Sequence, residues 1–375
     1  MLRYLTAGES HGLCEVAIIE GIPSGLELSE KDIQKDLDRR KGGAGRGGRG
    51  KIETDEVKIL SGVRFGKTLG SPIALFIENK DFANWEAKAT TPRPGHADLA
   101  GSLKYHFDDI RNVLERASAR ETVMRVAVGA VCKKLLLEFG IAIASHTIQI
   151  GRVRLAGEER DFSLVANVCN TDPEIRCIDK STSDKMKDAI LEATRKKDTL
   201  GGVAEIIAHG VPPGLGSHVH FDRKLDGQLA KALMSITSVK AVEIGDGVAN
   251  ASQFGSTVHD EIFFVDKKFT RQTNRAGGIE GGISNGESII CRVYHKPIST
   301  LGNPLASVDI KTKQPAKALV ERSDICVVPR AGTVAEAMVA FVLANAVLSK
   351  FGGDSLSELK RNFEGYIENL TTFSV

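Results

Sequence analysis

The sequence predicts an α+β fold that forms one domain over residues 1–375. Stretches with a strand-like pattern do not alternate regularly with helical ones, which disfavours a doubly wound parallel sheet and favours antiparallel sheets packed on helices. No repeat of fixed period, low-complexity linker or break in composition divides the chain. Hydrophobic residues make up 42% of it and charged residues 26%, which are ordinary globular values that exclude a disordered or fibrous protein.

The predicted strands are short and rich in aliphatic residues, and glycine-rich or proline-rich turns separate them. They are residues 16–19, 57–63, 73–77, 203–208, 241–244 and 288–293. Aromatic residues make up only 5% of the chain, so we expect an aliphatic core beneath these strands.

Capping boxes and glycine stop signals predict the helices. The boxes pair Ser29 with Asp32, Ser118 with Glu121, Thr333 with Glu336 and Ser355 with Glu358. The predicted helices are residues 29–42, 118–140, 184–197, 224–235 and 334–351, with a last one from residue 355. Residues 126–132 and 334–348 are apolar on most sides, so we expect those two helices to lie beside each other in the core.

The overall charge and the N-terminal residues limit the classes of function. The formal net charge is +2, so the chain has no general attraction for nucleic acid or anionic lipid, and any anion site must be local. No stretch approaches the roughly 18 apolar residues of a membrane span. Polar residues at positions 9–11 replace the apolar part of a signal peptide, which predicts a cytoplasmic protein, and the six cysteines are expected to be reduced thiols.

A basic loop at residues 39–51 predicts one anion site, because it contains six cations, six glycines and no acid. Glycines allow main-chain N–H groups to approach a phosphate closely. The GxGxxG pattern at residues 43–48 lacks the strand-to-helix context of a dinucleotide site. Two alternatives remain, a solvated surface loop and an RNA-binding segment, although the loop has no aromatic residue to stack on bases.

Two histidines lie in glycine-containing loops beside charged residues. His11 follows Gly8 and precedes Gly12, and His96 lies within the stretch Arg-Pro-Gly-His-Ala-Asp at residues 93–98. Such imidazoles suit proton donation to an anion. A second pair, His218 and His220, is predicted to share a strand face, but no third ligand is suitably spaced, so no metal site is predicted.

Two further groups of arginines precede the buried helices. Arg111, Arg116 and Arg120 crowd the start of the first one, where the helix dipole adds to their charge. The alternative is that they pair with the acids between residues 108 and 115. Before the second buried helix, Asp324 lies between two cations, at positions 322 and 330.

Together with the basic loop, eight motifs occur in an order that resembles the chorismate synthase family. They are GESHG from residue 8, RPGHAD from 93, RASARET from 116, VEIGDG from 242, AGGIEGGISNG from 276, KPIST from 296, ERSD from 321 and PRA from 329. The resemblance implies a single large β-α-β sandwich, with helices packed between antiparallel sheets, that usually forms a homotetramer. It also implies a lyase that eliminates phosphate from 5-enolpyruvylshikimate 3-phosphate in an anti-1,4 sense to give chorismate, with reduced FMN and no net redox change.

By this resemblance, His11 protonates the leaving phosphate, His96 protonates the reduced flavin, and Asp324 helps the flavin's central ring nitrogen to take the proton from carbon 6. The expected substrate-binding residues are Arg40, Arg46, Arg49, Arg111, Arg120 and Arg330. Arg40 and Arg46 also match positions that contact phosphate or NADPH. The other expected flavin contacts are Arg116, Ala117, Ser118, Thr237, Ser238, Gly281, Lys296, Pro297, Ile298, Ser299, Thr300 and Arg322.

The sequence departs from the family pattern at the cofactor site. Many relatives have an Asn-Ala pair where this chain has Thr237 and Ser238, so we expect that flavin contact through main chain or hydroxyl. The segment at residues 84–93 is shorter than in some bacterial members. No added domain for flavin reduction is recognised, so reduced flavin is expected from an external reductant, and whether NADPH serves this chain stays open. The alternative from another class is a basic-loop RNA-binding protein, which leaves the histidine loops unexplained.

Overall fold

The computed structural model describes residues 1–47, 54–80, 82, 86–157, 161–266, 268–321 and 324–373. Within these ranges the strands are β1 (Arg3–Gly8), β2 (Cys14–Glu20), β3 (Val57–Ile59), β4 (Val63–Arg64), β5 (Lys67–Thr68), β6 (Ile73–Glu78), β7 (Ala142–Ile150), β8 (Val153–Arg154), β9 (Gly202–His209), β10 (Val239–Ile244), β11 (Ile262–Val265), β12 (Lys268–Arg271), β13 (Ile279–Glu280), β14 (Ile283–Ser284), β15 (Ile289–His295), β16 (Ala306–Val308) and β17 (Pro315–Lys317). The helices are α1 (Glu30–Lys41), α2 (Asp98–Tyr105), α3 (Arg111–Leu114), α4 (Thr122–Leu137), α5 (Phe162–Thr171), α6 (Lys180–Arg195), α7 (Leu225–Met234), α8 (Gly247–Asn250), α9 (Gly255–Val258), α10 (Val328–Phe351) and α11 (Leu356–Phe373).

Two antiparallel sheets contain the longer strands. One sheet has the strand order β1-β2-β6-β3, and the other has the order β10-β15-β9-β7-β8. Every neighbouring pair in both sheets is antiparallel. The prediction of a mixed fold with antiparallel sheets is therefore confirmed for the described part of the chain.

Helices α4 and α10 pack along each other in the core. α4 contacts β1 and β2 of the first sheet, and α10 contacts β7 and β9 of the second. Gly129 permits this close approach, because a Cβ atom there would lie only 2.2 Å from the Cβ of Ala337. α10 is long and apolar enough to cross a membrane, but 83% of its most apolar window is buried inside the fold, as in the core helix of a globular protein. The expectation that these two helices are buried together is confirmed.

The predicted start of α10 is wrong, because the helix begins at Val328 and not at residue 334. Pro329 lies in the first turn, where a main-chain N–H group would have no acceptor within the helix. A proline is therefore tolerated at this position. Glu336 is a fully buried residue inside the helix and not part of a cap. Its carboxylate accepts hydrogen bonds from Arg39 at 2.6 Å, Lys133 at 2.5 Å and Ser145 at 2.5 Å. The capping pattern therefore marks a buried charge network.

The start of α4 also differs from the prediction. Ser118 accepts a hydrogen bond from the main-chain N–H of Arg120 at 3.3 Å and so caps a 3-10 turn at Ala119–Glu121. The Glu121 carboxylate pairs with Arg125 at 2.9 Å instead of closing a box. The helix itself starts one turn later, at Thr122.

Strand β7 was not predicted, although it joins the second sheet to α10. Its centre contains Ser145, His146 and Thr147, which are all buried. Buried polar residues interrupt the aliphatic run that marks the other strands, so the pattern gave no signal.

The predicted strand face of His218 and His220 is also wrong. Both residues lie in an irregular, exposed stretch before a 3-10 turn at Phe221–Arg223, and His220 Nδ1 pairs with Asp222 at 2.9 Å. No group of three or more His, Cys, Asp or Glu side chains in the described ranges is arranged to hold a metal ion.

Candidate active site

His11 lies in the turn between β1 and β2, with its ring against a buried carboxylate. Its Nδ1 is 2.9 Å and 3.0 Å from the two carboxylate oxygens of Glu115, and its main-chain N–H donates to the same carboxylate at 3.0 Å. Arg111 donates to Glu115 from the other side at 2.9 Å. Burial would raise the pKa of Glu115, but the hydrogen bonds from His11 and Arg111 outweigh it and lower that pKa. An ionised carboxylate therefore fixes the imidazole by its Nδ1 side.

His96 has an equivalent environment built from different elements. Its Nδ1 is hydrogen-bonded to Asp98, the first residue of α2, and Asp98 also accepts from Arg93 Nε at 2.8 Å. Burial would raise the pKa of Asp98, but the bonds from His96 and Arg93 hold it well below its ordinary value. Arg93 Nη1 also donates to Thr300 at 3.0 Å, which joins this loop to the end of the KPIST segment.

A group of buried arginines lies beside the His11 turn. Arg40, at the end of α1, donates to Thr122 at 3.0 Å and 3.1 Å and pairs with Asp55 at 3.4 Å. Arg120 donates to the same Asp55 and to Asn79 at 2.9 Å. Burial lowers the pKa of Arg40 to about 10 against the attraction of Asp55, and repulsion by Arg120 contributes to this lowering. These cations are therefore held close together at an electrostatic cost, as expected where an anion binds.

Asn79 joins the arginine group to the histidine turn. Its amide nitrogen donates to the carbonyl oxygens of Glu9 at 3.0 Å and Gly12 at 2.8 Å, while its amide oxygen accepts from Arg120. The backbone on both sides of His11 is thereby fixed relative to the guanidinium of Arg120.

Arg330 is a buried cation whose hydrogen-bond donors are only partly used by the described residues. Its Nη1 donates to Asp324 at 2.6 Å, but its buried Nε and Nη2 have no hydrogen-bond partner among the described residues. Each buried donor without a partner costs about 1–3 kcal/mol. Gly47 of the basic loop donates to the same Asp324 at 2.7 Å, and Arg46 next to it lowers the pKa of Arg330, although burial contributes more.

The predicted flavin contacts of the KPIST segment lie next to the His96 loop. A Cβ atom on Gly95, whose φ is +80°, would lie 3.3 Å from Ser299 Oγ and 3.7 Å from Lys296 Nζ. Lys296 donates to Ser299 at 2.9 Å, and burial lowers its pKa. The main-chain N–H of Lys296 donates to the carbonyl oxygen of Ser238 at 2.9 Å, so Ser238 belongs to the same cluster, and its hydroxyl contacts His295 Nδ1 at 2.9 Å. Thr300, Ser299, Lys296, Ser238 and the His96 loop are thus brought together as one polar surface.

Several predicted site residues are placed differently. The guanidinium of Arg116 donates to the main chain of Gly8 and Thr6 at 3.0 Å each, which places this arginine and the turn with Ala117 and Ser118 against β1. Arg111 bonds Glu115 and also Glu321 at 3.1 Å. This is the pairing with nearby acids that the sequence left open.

Other predicted contacts are not joined to the cluster by the contacts described. Gly281 lies in the β13–β14 turn, where a Cβ atom would have no neighbour within 4 Å. Thr237 and Pro297 are exposed, and the carbonyl of Ile298 accepts from Thr199 at 2.8 Å. The predictions for Arg49 and Arg322 fall outside the described residues.

Two carboxylates of the site had no predicted role. Asp55 pairs with both Arg40 and Arg120. No sequence motif indicated these ion pairs, because both arginines lie in other segments of the chain. Glu115 follows Arg111 by four residues, a spacing that indicates a helical ion pair, but nothing local indicates that His11 is its second partner. Only the fold brings the two segments together.

Positioned imidazoles beside clustered, buried arginines define an enzyme that binds a polyanionic ligand and transfers protons. Comparison with known proteins agrees with this class. The family profile described as chorismate synthase matches residues 2–348. The chorismate synthase of Solibacter usitatus is 51% identical over 100% of both chains, and that of Aquifex aeolicus is 53% identical over 99% of both. A crystal structure of a chorismate synthase superposes with a TM-score of 0.82, at 45% identity, over 99% of this chain and 98% of the other.

The chain belongs to the chorismate synthase family. The predicted activity, that of a chorismate synthase, and its enzyme class, a lyase, are confirmed by this membership. The family implies a reduced flavin as cofactor and 5-enolpyruvylshikimate 3-phosphate as substrate.

Proposed function

We propose that this site eliminates phosphate from 5-enolpyruvylshikimate 3-phosphate, with His11 as the acid that protonates the leaving group. The observation that carries the assignment is the triad of His11, Glu115 and Arg111. A buried carboxylate on Nδ1 fixes the ring and directs Nε2 away from Glu115, which is the arrangement of a positioned proton donor. Asn79 holds this donor beside a cluster of arginines that suits the leaving dianion.

Arg40, Arg46, Arg120 and Arg330 are proposed to bind the phosphate and carboxylates of the substrate. Arg330 is the strongest case, since a ligand oxygen would satisfy its two buried donors. Arg40 and Arg120 share one carboxylate, Asp55, so the pair keeps a net positive charge to offer an anion. Arg49 and Arg111 stay in the proposal by resemblance, although Arg111 acts on the site through Glu115 in this structure.

The residues around His96 fit a flavin phosphate and ring. The Lys296 ammonium and the Ser299 hydroxyl lie beside the His96 loop, Ser238 joins them through its main-chain carbonyl, and Gly95 leaves space that a Cβ atom would fill. Reduced FMN, when bound, supplies the electron-rich ring that the elimination requires. We propose that His96 holds a proton toward that ring and that Asp324 assists proton removal from carbon 6, while Arg330 and Gly47 fix its carboxylate.

The remaining cofactor residues are carried over from the family without contacts that test them. They are Arg40, Arg46, Arg116, Ala117, Ser118, Thr237, Gly281, Pro297, Ile298, Thr300 and Arg322. We propose that the flavin is FMN and that an external reductant supplies it in reduced form. NADPH is the candidate electron source. The family profile also includes the basic loop, which removes the reason to infer an RNA ligand.

For the assembly, we propose a single domain built as a β-α-β sandwich that forms a homotetramer in the cytoplasm. The contacts of α4 with β1 and β2, and of α10 with β7 and β9, support helices between the two sheets. The family profile spans most of the chain as one unit, which supports a single domain.

Anaerobic turnover with photoreduced FMN tests the reaction. We expect wild-type protein to release phosphate and form chorismate, and His11→Ala to lower the rate by about 10-fold to 1000-fold, the usual scale for a positioned acid. His220→Ala is the matched control, because His220 is exposed and pairs only with a neighbouring carboxylate among the contacts described. A His11→Ala rate equal to that of the control would remove His11 from the mechanism.

A further inference from the structure

We propose that Glu115 is a positioning residue for the elimination, one that orients the ring of His11 and fixes its Nδ1–H tautomer. This inference rests on the proposed function, because it assigns a role to Glu115 only through His11.

Glu115 is attached to His11 at two points. One carboxylate oxygen accepts from the main-chain N–H of His11 at 3.0 Å, and the same group contacts ring Nδ1 at 2.9 Å and 3.0 Å. A single side chain therefore fixes both the backbone of the turn and the rotation of the ring. Neutral imidazole in this arrangement carries its proton on Nδ1, which leaves Nε2 as the atom that gains or loses the transferred proton.

Arg111 fixes the carboxylate in turn. Its Nη1 donates to Glu115 at 2.9 Å, and its other donors bind Glu321 at 3.1 Å and the carbonyl of Ala87. The Glu115 side chain is fully buried, so these contacts replace water completely. Charge-assisted hydrogen bonds of this kind are the stronger ones in proteins, and they hold Glu115 in one orientation.

The second histidine supports the interpretation independently. His96 is held by Asp98, and Arg93 donates to that carboxylate as Arg111 donates to Glu115, although Arg93 Nη2 also lies 3.1 Å from His96 Nδ1. The two triads come from different parts of the fold and place the carboxylate at different sequence distances from the histidine. In both, a buried carboxylate contacts Nδ1 and an arginine binds that carboxylate. This repetition indicates that the reaction requires a carboxylate on Nδ1.

The proton balance of the step follows from the geometry. The bond from the substrate carbon to the phosphate oxygen breaks, and its electron pair leaves with the phosphate. The electron pair of the bond between carbon 6 and its hydrogen completes the new diene, and that proton leaves in the step proposed for Asp324. The proton on Nε2 of His11 passes to that oxygen, and the ring becomes neutral with its other proton still on Nδ1. Glu115 remains a carboxylate throughout, so it stabilises the cation before transfer and does not itself take the proton.

Glu115→Gln tests this role, because glutamine keeps the size of the side chain and removes its charge. We expect the turnover number to fall by about 10-fold to 100-fold with the KM for substrate changed less than about threefold. The ¹⁵N shifts of neutral His11 should move away from the pure Nδ1–H tautomer, since a glutamine amide no longer requires a proton on that nitrogen. Glu115→Asp should recover part of the rate and the wild-type tautomer.

Glu321→Gln is the matched control, because it removes the other carboxylate on Arg111 without touching His11. We expect its His11 tautomer to match that of the wild type. A Glu115→Gln protein that melts as the wild type does and keeps the wild-type turnover number and His11 tautomer overturns the inference. If Glu115→Gln fails to fold, the ¹⁵N shifts of His11 in folded Glu115→Asp decide, with the Nδ1–H tautomer supporting the role and the Nε2–H tautomer overturning it. Loss of rate in His11→Ala together with an unaffected Glu115→Gln enzyme rejects this inference alone, whereas an unaffected His11→Ala enzyme rejects the proposed function.

Discussion

Asp324 accepts a hydrogen bond from Arg330 at 2.6 Å, and this pair ties the start of the central helix α10 to the basic loop. The link is Gly47, whose main-chain N–H donates to the same carboxylate at 2.7 Å. The carbonyl of Gly45 also accepts from the main-chain N–H of Ile325 at 2.7 Å. The glycines of this part of the loop therefore approach another chain segment, and we propose that the arginines beside them bind the anion.

Replacing Arg330 tests that role. We predict that Arg330→Ala weakens substrate binding by roughly 10-fold to 100-fold, because charge-assisted bonds to a ligand contribute about 1.5–3 kcal/mol. Fluorescence titration of the flavin-loaded protein with substrate measures the change. Arg3→Ala, which removes an exposed arginine that pairs with Glu20, is the control and should bind substrate normally. Equal affinity in the two variants would show that Arg330 makes no ligand contact.

Glu15 on β2 predicts an unusual pH dependence of stability. Its side chain is fully buried, and neither carboxylate oxygen has a hydrogen-bond partner among the described residues. Burial raises the pKa of Glu15 to about 7, with Arg120 and Arg116 opposing the shift. The folded state therefore disfavours the ionised form, so this group contributes most to stability below its ordinary pKa, and that contribution is lost as the pH rises to 7.

Urea unfolding between pH 4.5 and pH 8 measures this effect. We predict that the free energy of unfolding of the wild type declines over this range by about 3 kcal/mol more than that of Glu15→Gln, which follows from about 1.4 kcal/mol per pKa unit. Exposed Glu27→Gln is the control and should decline as the wild type does. Parallel curves for the wild type and Glu15→Gln would contradict the prediction.

Gly129 predicts the sensitivity of the helix pair at the core. A Cβ atom at this position would lie 2.2 Å from Ala337 Cβ and 2.4 Å from its Cα, so α4 and α10 would have to separate. Overpacking of a dense core typically costs about 1–3 kcal/mol, and we predict at least this loss of unfolding free energy for Gly129→Ala. Gly365→Ala on α11, where a Cβ atom meets nothing within 4 Å, should instead gain up to about 1 kcal/mol. Thermal melts of both variants that move in the same direction would show that the helices do not pack as described.

The sequence predicts well those features that depend on local pattern. Periodic apolar residues and glycine stops located the buried helices. The box of Ser29 with Asp32 is present, and the main-chain N–H of Ser29 donates to the Asp32 carboxylate at 2.9 Å. The same pattern failed at Thr333 and Glu336, because a buried ion network uses the residue types of a helix cap. Helix-capping rules assume that charged residues face water, but Glu336 is fully buried.

Site residues could be predicted only where they stand in a motif. His11 and His96 were found because glycines and charges surround them in sequence. Glu115 and Asp55 were missed as functional groups, since their partners His11 and Arg40 come from other segments. Recognition of a carboxylate on Nδ1 requires the folded geometry, because no spacing rule relates residue 11 to residue 115.

The central claim is that His11 acts on the leaving phosphate and His96 on the flavin. Reduced-flavin spectra of the substrate complex test this claim most directly. The measurement is the pH dependence of that spectrum under anaerobic conditions in the wild type, His11→Ala and His96→Ala, with the single-turnover rate recorded in the same samples. We predict that both variants lose about 10-fold to 1000-fold in rate, while only His96→Ala changes the pH dependence of the spectrum. Equal spectral changes in both variants, or a change in neither, would contradict the assignment of His11 to the phosphate and His96 to the flavin.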